Sequence, residues 1–77
     1  MVDERNHIYR GFEMTSGVDG KPDGFYVGLQ WMRLTTQGSR MNVPIDGVAA
    51  GRFADLEGAF NASFQRIRQA IDRHIDG

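Results

Sequence analysis

Apolar residues follow two rhythms along this chain. They alternate with polar residues up to about position 46 and recur at three- and four-residue spacing from position 56. Alternation marks half-buried strands; the longer spacing marks an amphipathic helix. The first alternating stretch is His7 to Thr15. Ile8, Phe12 and Met14 share one parity, and Tyr9, Glu13 and Thr15 the other. Arg10 interrupts the apolar parity, and Gly11 marks a bulge or a close backbone approach. Ser16 to Gly24 then collects Gly, Asp and Pro and predicts a flexible hairpin loop. Residues 1–6 show no periodicity and predict a flexible N-terminus.

The second strand runs from Phe25 to about Thr35. Phe25, Val27, Leu29 and Trp31 share one face, and Tyr26, Gly28 and Gln30 the other. After Trp31 the phase changes, because Met32 and Leu34 are apolar and Arg33 is not. Either a bulge near Trp31 swings Met32 and Leu34 inward, or the outer face carries an apolar patch. Thr36 to Ser39 predicts a turn. Arg40 to Asp46 predicts a third strand with Met41, Val43 and Ile45 inward and Pro44 on a sheet edge. Val48 and Phe53 are expected to tuck under the sheet.

From Asp55 the period lengthens. Leu56, Phe60, Phe64, Ile67, Ile71 and Ile75 form one stripe, widened by Ala59 and Ser63. Asp55 suits the N-cap, where its carboxylate accepts from free N–H groups at the positive end of the dipole. The stripe predicts an amphipathic helix of about six turns. An apolar sheet face and an apolar helix stripe leave water together by packing on each other. The expected fold is α+β: a three-stranded antiparallel β-meander packed against one long C-terminal helix, β-β-β-α, with residues 7–77 as a single domain. Trp31, Phe12, Phe25, Phe60 and Phe64 are the expected core.

Composition narrows the function. A chain of 77 residues holds one modest core. It contains no Cys, which excludes disulfides and thiolate metal sites and suits a reducing compartment. The polar opening Met1 to Asn6 lacks the apolar run of a signal peptide, and no stretch reaches the ~20 apolar residues of a bilayer span. These features predict a cytoplasmic chain without membrane attachment. The net charge of −1 lacks the basic excess of a dedicated nucleic-acid binder.

The chemistry-bearing residues are few. His7 lies near the chain start, and His74 lies where it complements the negative end of the helix dipole. Two separated His residues do not make a zinc site. Ser16, Ser39 and Ser63 stand outside any Gly-x-Ser-x-Gly elbow. Asp19 and Asp23 lack the ligand number and late Glu of an EF-hand loop. Gly47-Val48-Ala49-Ala50-Gly51 lacks the Gly-Lys-Ser/Thr ending of a phosphate loop, and Asp55 sets negative charge where phosphate would sit. No catalytic set, cofactor site or metal site is predicted, so a non-enzymatic role is expected.

The outer sheet face is then the candidate surface: Tyr9, Arg10, Tyr26, Gln30, Met32, Arg33, Leu34 and Arg40. Two readings remain open. Tyr26, Met32 and Leu34 form an apolar patch for a protein partner or a second copy. Alternatively Tyr9, Arg10, Tyr26, Gln30, Arg33, Arg40 and Asn42 read nucleic acid from the sheet. Arg66 and Arg73 on the outer helix face also suit an acidic partner, with a solvated face as the simpler reading.

His7-Ile8-Tyr9-Arg10-Gly11-Phe12, the aromatic second strand and Gly51-Arg52-Phe53-Ala54-Asp55 leading into Ala70-Ile71-Asp72 carry a resemblance. Over residues 7 to 76 the chain resembles small strand-rich proteobacterial proteins of the Burkholderia type, with one terminal helix and no assigned activity. The resemblance implies a sheet-plus-helix fold and a bacterial source, and it carries no functional residues.

Overall fold

A two-residue turn at Arg10-Gly11 divides the first apolar stretch. The computed structural model describes residues 2–36 and 38–77. Both turn residues adopt positive φ, 52° at Arg10 and 81° at Gly11. Such primed turns match the right-handed twist of strands and close tight hairpins. Strand β1 (Val2–Tyr9) thereby pairs antiparallel with β2 (Phe12–Lys21), Tyr9 facing Phe12. The expected single strand His7–Thr15 is therefore two strands. Of the expected flexible N-terminus, Val2 to Asn6 belong to β1, and Met1 lies outside the described residues.

The expected loop Ser16–Gly24 is mostly β2. Only Pro22-Asp23 turns the chain, and Lys21 faces Gly24 across it. Gly24 has φ 150°, and a Cβ there would lie 2.7 Å from Arg52 Cγ. Strand β3 (Gly24–Leu34) follows, then the short β4 (Arg40–Asn42) and β5 (Arg52–Phe53). The order is β1-β2-β3-β4, and β5 pairs with the start of β3 through Phe25 and Tyr26. The expected three-stranded meander understates this antiparallel sheet. The expected third strand Arg40–Asp46 stops at Asn42, before Pro44. The predicted turn Thr36–Ser39 includes Gln37, which lies outside the described residues.

Register fixes the faces. Gly17 pairs with Leu29, but Val18 pairs with Val27, so Gly28 is an extra residue in β3. Phe12, Met14, Ser16 and Val18 thus share a face with Leu34, Met32, Gln30 and Val27. That face meets helix α1 (Leu56–Asp76). Phe60, Ile67 and Ile71 of the helix and Phe12, Met14 and Val18 of the sheet are each 2% exposed or less. Val27, Met32, Val43, Ala49, Ala59 and Phe64 complete the buried cluster, with Phe25, Leu34 and Phe53 among the residues packed at its margin.

The bulge corrects several expectations. It sits at Gly28 rather than near Trp31. It turns Met32 and Leu34 inward, and it leaves Leu29 and Trp31 on the outer face, each half-buried. Trp31 therefore lies outside the buried cluster. Ile45 and Val48 are exposed at 39% and 42%, because the chain after β4 passes over the end of the sandwich in a 3-10 turn, Gly47–Ala49, that buries Ala49 instead. Ile75, expected in the stripe, is 44% exposed beyond the end of the sheet contact.

The helix ends are closed as the sequence predicts. Asp55 Oδ1 accepts from the Gly58 N–H at 2.7 Å. Gly77, at φ 92°, donates its N–H to Arg73 O at 3.0 Å. Phe60→Ala is expected to cost about 3–5 kcal/mol in urea denaturation. Trp31→Ala is expected to cost clearly less than Phe60→Ala, and equal losses would contradict the outward placement of the indole.

Candidate functional site

The face of the sheet away from α1 is built from opposed pairs. Across β2 and β3 these are Glu13 with Arg33, Thr15 with Trp31, Gly17 with Leu29 and Asp19 with Tyr26. Arg40 and Asn42 of β4 and Arg52 of β5 extend it, through their pairing with Arg33, Trp31 and Tyr26. Gly17 is the low point: a Cβ there would lie 3.2 Å from Leu29 Cβ and 3.5 Å from Val2 Cγ1. Side chains from β1 and β3 therefore lean over it. Thr15 is buried beside it and donates to Asn6 Oδ1 at 2.5 Å.

Trp31 is the largest side chain on this face. The Arg40 guanidinium lies over its ring, 4.9 Å from the centroid. Among the described residues, Arg40 has no carboxylate within ion-pairing distance. Arg33 forms an ion pair with Glu13, while its Nε–H is buried without a partner among the described residues. Tyr26 donates to Asp23 Oδ2 at 2.8 Å, which pushes its phenol pKa up.

The candidate residues divide between two faces and a turn. Tyr26, Arg33 and Arg40 lie together on the outer face. Tyr9, Gln30, Met32 and Leu34 lie on the helix side, carried there by the Arg10-Gly11 turn and the Gly28 bulge. Arg10 occupies the turn itself and reaches the helix end. Leu29 and Trp31 join the outer face in their place. The signal for that exchange was Gly28, a lone Gly inside a strand pattern.

Tyr9 and Arg10 lock the hairpin to α1. Tyr9 donates to Asp72 Oδ1 at 2.9 Å, and Arg10 donates to the same atom at 2.8 Å and to Asp76 Oδ2 at 3.1 Å. Hydrogen bonds from Arg10 and then Tyr9 hold the Asp72 carboxyl below its ordinary value. Its bonds to Asp76 and Asp72 raise the Arg10 pKa further. In the middle of β1, Arg5 grips Glu57 at 2.6 Å and lies 4.2 Å from the Phe60 ring centroid. That ion pair lowers the Glu57 pKa.

Gln30 has a different role from the one expected. Ser16 donates to Ser63 Oγ at 2.6 Å, and Ser63 donates to Gln30 Oε1 at 2.7 Å. Gln30 Nε2 then donates to Pro44 O at 2.8 Å. The three side chains are at most 2% exposed. A largely buried hydrogen-bonded chain of two hydroxyls and one amide, with no ionisable member, ties β2, α1, β3 and the segment after β4 together.

Other chemistry-bearing groups are committed locally. His7 meets Phe64 edge-on with centroids 4.5 Å apart, and His74 meets Phe12 at 5.7 Å. Lys21 pairs with Asp19 at 3.1 Å. Among the described residues, no group of His, Asp and Glu is large enough to hold a metal ion. Among the described residues, no helix is long and apolar enough to cross a membrane. A shallow groove lies between β1 and α1, lined by His7, Tyr9, Phe64 and Arg68 among others. Comparison with family models, curated proteins and solved structures returns no match.

Two outcomes test these contacts. Ser63→Ala leaves one buried donor, the Ser16 hydroxyl, and one buried acceptor, Gln30 Oε1, without their shared partner, and is expected to cost about 1–3 kcal/mol in chemical denaturation. Asp72 has a lowered folded pKa, so its stabilisation is full above the ordinary value of 3.8 and is lost as pH falls through the lower folded value. The melting-temperature gap between the wild type and Asp72→Asn should therefore be open at neutral pH and close progressively below 3.8. A gap independent of pH would show that Asp72 acts through packing alone.

Proposed function

We propose that this chain is a non-enzymatic interaction module that docks a protein partner on the outer face of its sheet. The observation that carries this reading is the Trp31–Arg40 pair. A large aromatic ring and an unneutralised cation lie side by side on a face with no helix over it, with Leu29 next to them. Trp, Tyr and Arg are the side chains that dominate binding energy at protein interfaces. The matching partner is a protein surface with an apolar side chain beside a carboxylate. The carboxylate would meet Arg40, and the apolar group would cover Trp31 and Leu29.

Nucleic-acid binding through the same face is the second reading. Charge ranks it lower. On this face Arg33 is paired with Glu13 and Lys21 with Asp19, which leaves Arg40 and Arg52 without a carboxylate partner among the described residues, too few cations for the several phosphate contacts that carry nucleic-acid affinity. The proposed module uses no cofactor. It is set in the cytoplasm, where a chain without Cys loses nothing.

An isotope-labelled sample followed by two-dimensional NMR tests both readings. Nuclease-treated cell extract is expected to shift the Trp31 indole and the Leu29 and Arg40 amides. Trp31→Ala with Arg40→Glu should reduce affinity for the purified partner at least tenfold, as expected for a central aromatic and its cation. Salt-sensitive shifts of the same residues with short DNA or RNA, and none with extract protein, would favour the second reading. No response on this face with either would end both.

A further inference from the structure

The sheet has one long free edge, and it belongs to β1. The opposite edge is divided between β4 and β5, which are 3 and 2 residues long. Strand β1 is 8 residues long, and among the described residues no strand covers its outer side. Short strands blunt an edge; a long one presents a row of unpaired backbone groups. The tight turn makes Tyr9 and Phe12 the closing hydrogen-bonded pair. Strict alternation along the unshifted β1–β2 register then points the backbone N–H and C=O groups of Val2, Glu4, Asn6 and Ile8 away from β2.

Those same positions put their side chains on the outer face. Ile8 is 66% exposed and Val2 is 56% exposed, the highest values among the large apolar residues. Both stand on the edge strand, where Glu4 is the one charged residue between them on that face. An edge with outward backbone groups and two bare aliphatic side chains is suited to strand addition.

We propose that β1 pairs antiparallel with β1 of a second copy of this chain, about a two-fold axis at Arg5. The sequence of the strand selects this register. Centred on Arg5, Val2 faces Ile8 of the other copy on the outer face, and Glu4 faces Asn6, each pair occurring twice. On the helix side Asp3 faces His7, an acid opposite an imidazole. The two Arg5 side chains meet at the axis, but each is drawn back toward its own helix by Glu57 and Phe60. Centring on Glu4 would set two carboxylates against each other, and centring on Asn6 would set Glu4 against Ile8. Only the Arg5 register covers both exposed aliphatic residues with each other. The axis stands perpendicular to the sheet, so both helices stay on one side and the two outer faces join into one sheet surface.

A second copy also satisfies an asymmetry in the packing. Helix α1 contacts mainly β2 and β3 and leaves the backbone edge of β1 open. A paired edge of this length buries less area than a standard interface of about 1,600 Å², so the dimer is expected to dissociate on dilution. This inference is independent of docking at Trp31: it uses the edge rather than the face. Trp31→Ala with Arg40→Glu is expected to leave the dimer unchanged.

The test uses the full chain. Sedimentation velocity over a thousandfold concentration range is expected to show reversible dimerisation. Ile8→Lys should weaken it at least tenfold, with unchanged circular dichroism, since Ile8 is exposed and the new ammonium would neighbour Glu13 in its own chain. The absence of Cys allows a direct reading of register. Arg5→Cys is expected to form a disulfide-linked dimer under mild oxidation at least ten times faster than Asp3→Cys or His7→Cys alone. A chain that stays monomeric throughout overturns the proposal. So does a dimer indifferent to Ile8→Lys, or equal cross-linking rates at the three positions.

Discussion

The extra residue at Gly28 decides which side of β3 meets the helix. Before it, Phe25 and Val27 point toward α1; after it, Gln30, Met32 and Leu34 do. Without the bulge, the alternation begun at Phe25 would send Leu29 and Trp31 into the core and Met32 out of it. A bulge inverts every later side chain on its strand while leaving the strand pairing intact. Met14 and Met32, paired across β2 and β3, are then both buried in the cluster with Phe64 and Ile67. The aromatic residue displaced from the core becomes the main feature of the outer face. Core and candidate docking surface are thus two consequences of a single backbone irregularity.

The same inversion delivers Gln30 into the interior, where an amide needs all its partners. Burial of an unpaired amide or hydroxyl costs roughly 1–3 kcal/mol, comparable to burying a small aliphatic side chain. Ser16, Ser63 and the carbonyls of Val43 and Pro44 meet that need. A Ser from β2 and one from α1 must arrive opposite Gln30 together. The helix can therefore sit in only one register along the sheet. Leu or Ala in these positions would pack but would let the helix slide, since apolar contacts alone do not distinguish adjacent registers well. The ion pairs at either end, Arg5 with Glu57 and Arg10 with Asp72, act in the same direction from the surface.

The span and ends of the helix were legible in the sequence because its period, its Asp55 cap and its Gly77 stop agree, although Ile75 of the expected stripe is exposed. The sheet was legible only in class. Its first hairpin turns on Arg-Gly, where Arg supplies a positive φ that Asn, Asp or Gly normally signals; the cost is offset by the anchoring of its guanidinium to Asp72 and Asp76. Strand β2 reads as a loop because Ser16, Gly17 and Gly20 are small and polar. They are small because Ser63, Leu29 and Phe25 occupy the adjoining space. Strand β1 reads as a tail because an edge strand with one half-solvated face has little apolar demand. In each case a contact distant in sequence chose the residue, and local pattern could not reveal it. The candidate site suffered most, since a one-residue shift exchanges its members: Tyr26, Arg33 and Arg40 remain, while Gln30, Met32 and Leu34 give way to Leu29 and Trp31.

Edge and face follow from where the helix lies. One helix is about 10–12 Å across with its side chains, while strands are spaced about 4.8 Å apart, so it shields little more than two strands. Centred on β2 and β3, α1 buries their inner sides and reaches β1 through Arg5, His7 and Tyr9. A small domain with one helix must leave some strand under-covered. Here the far edge is shortened to β4 and β5, and the deficit is concentrated on β1. The outer face has no second helix, and its cover comes from side chains leaning over Gly17 and Thr15. Both uncovered surfaces follow from the placement of α1 on β2 and β3, and the association proposed above would remove them from water.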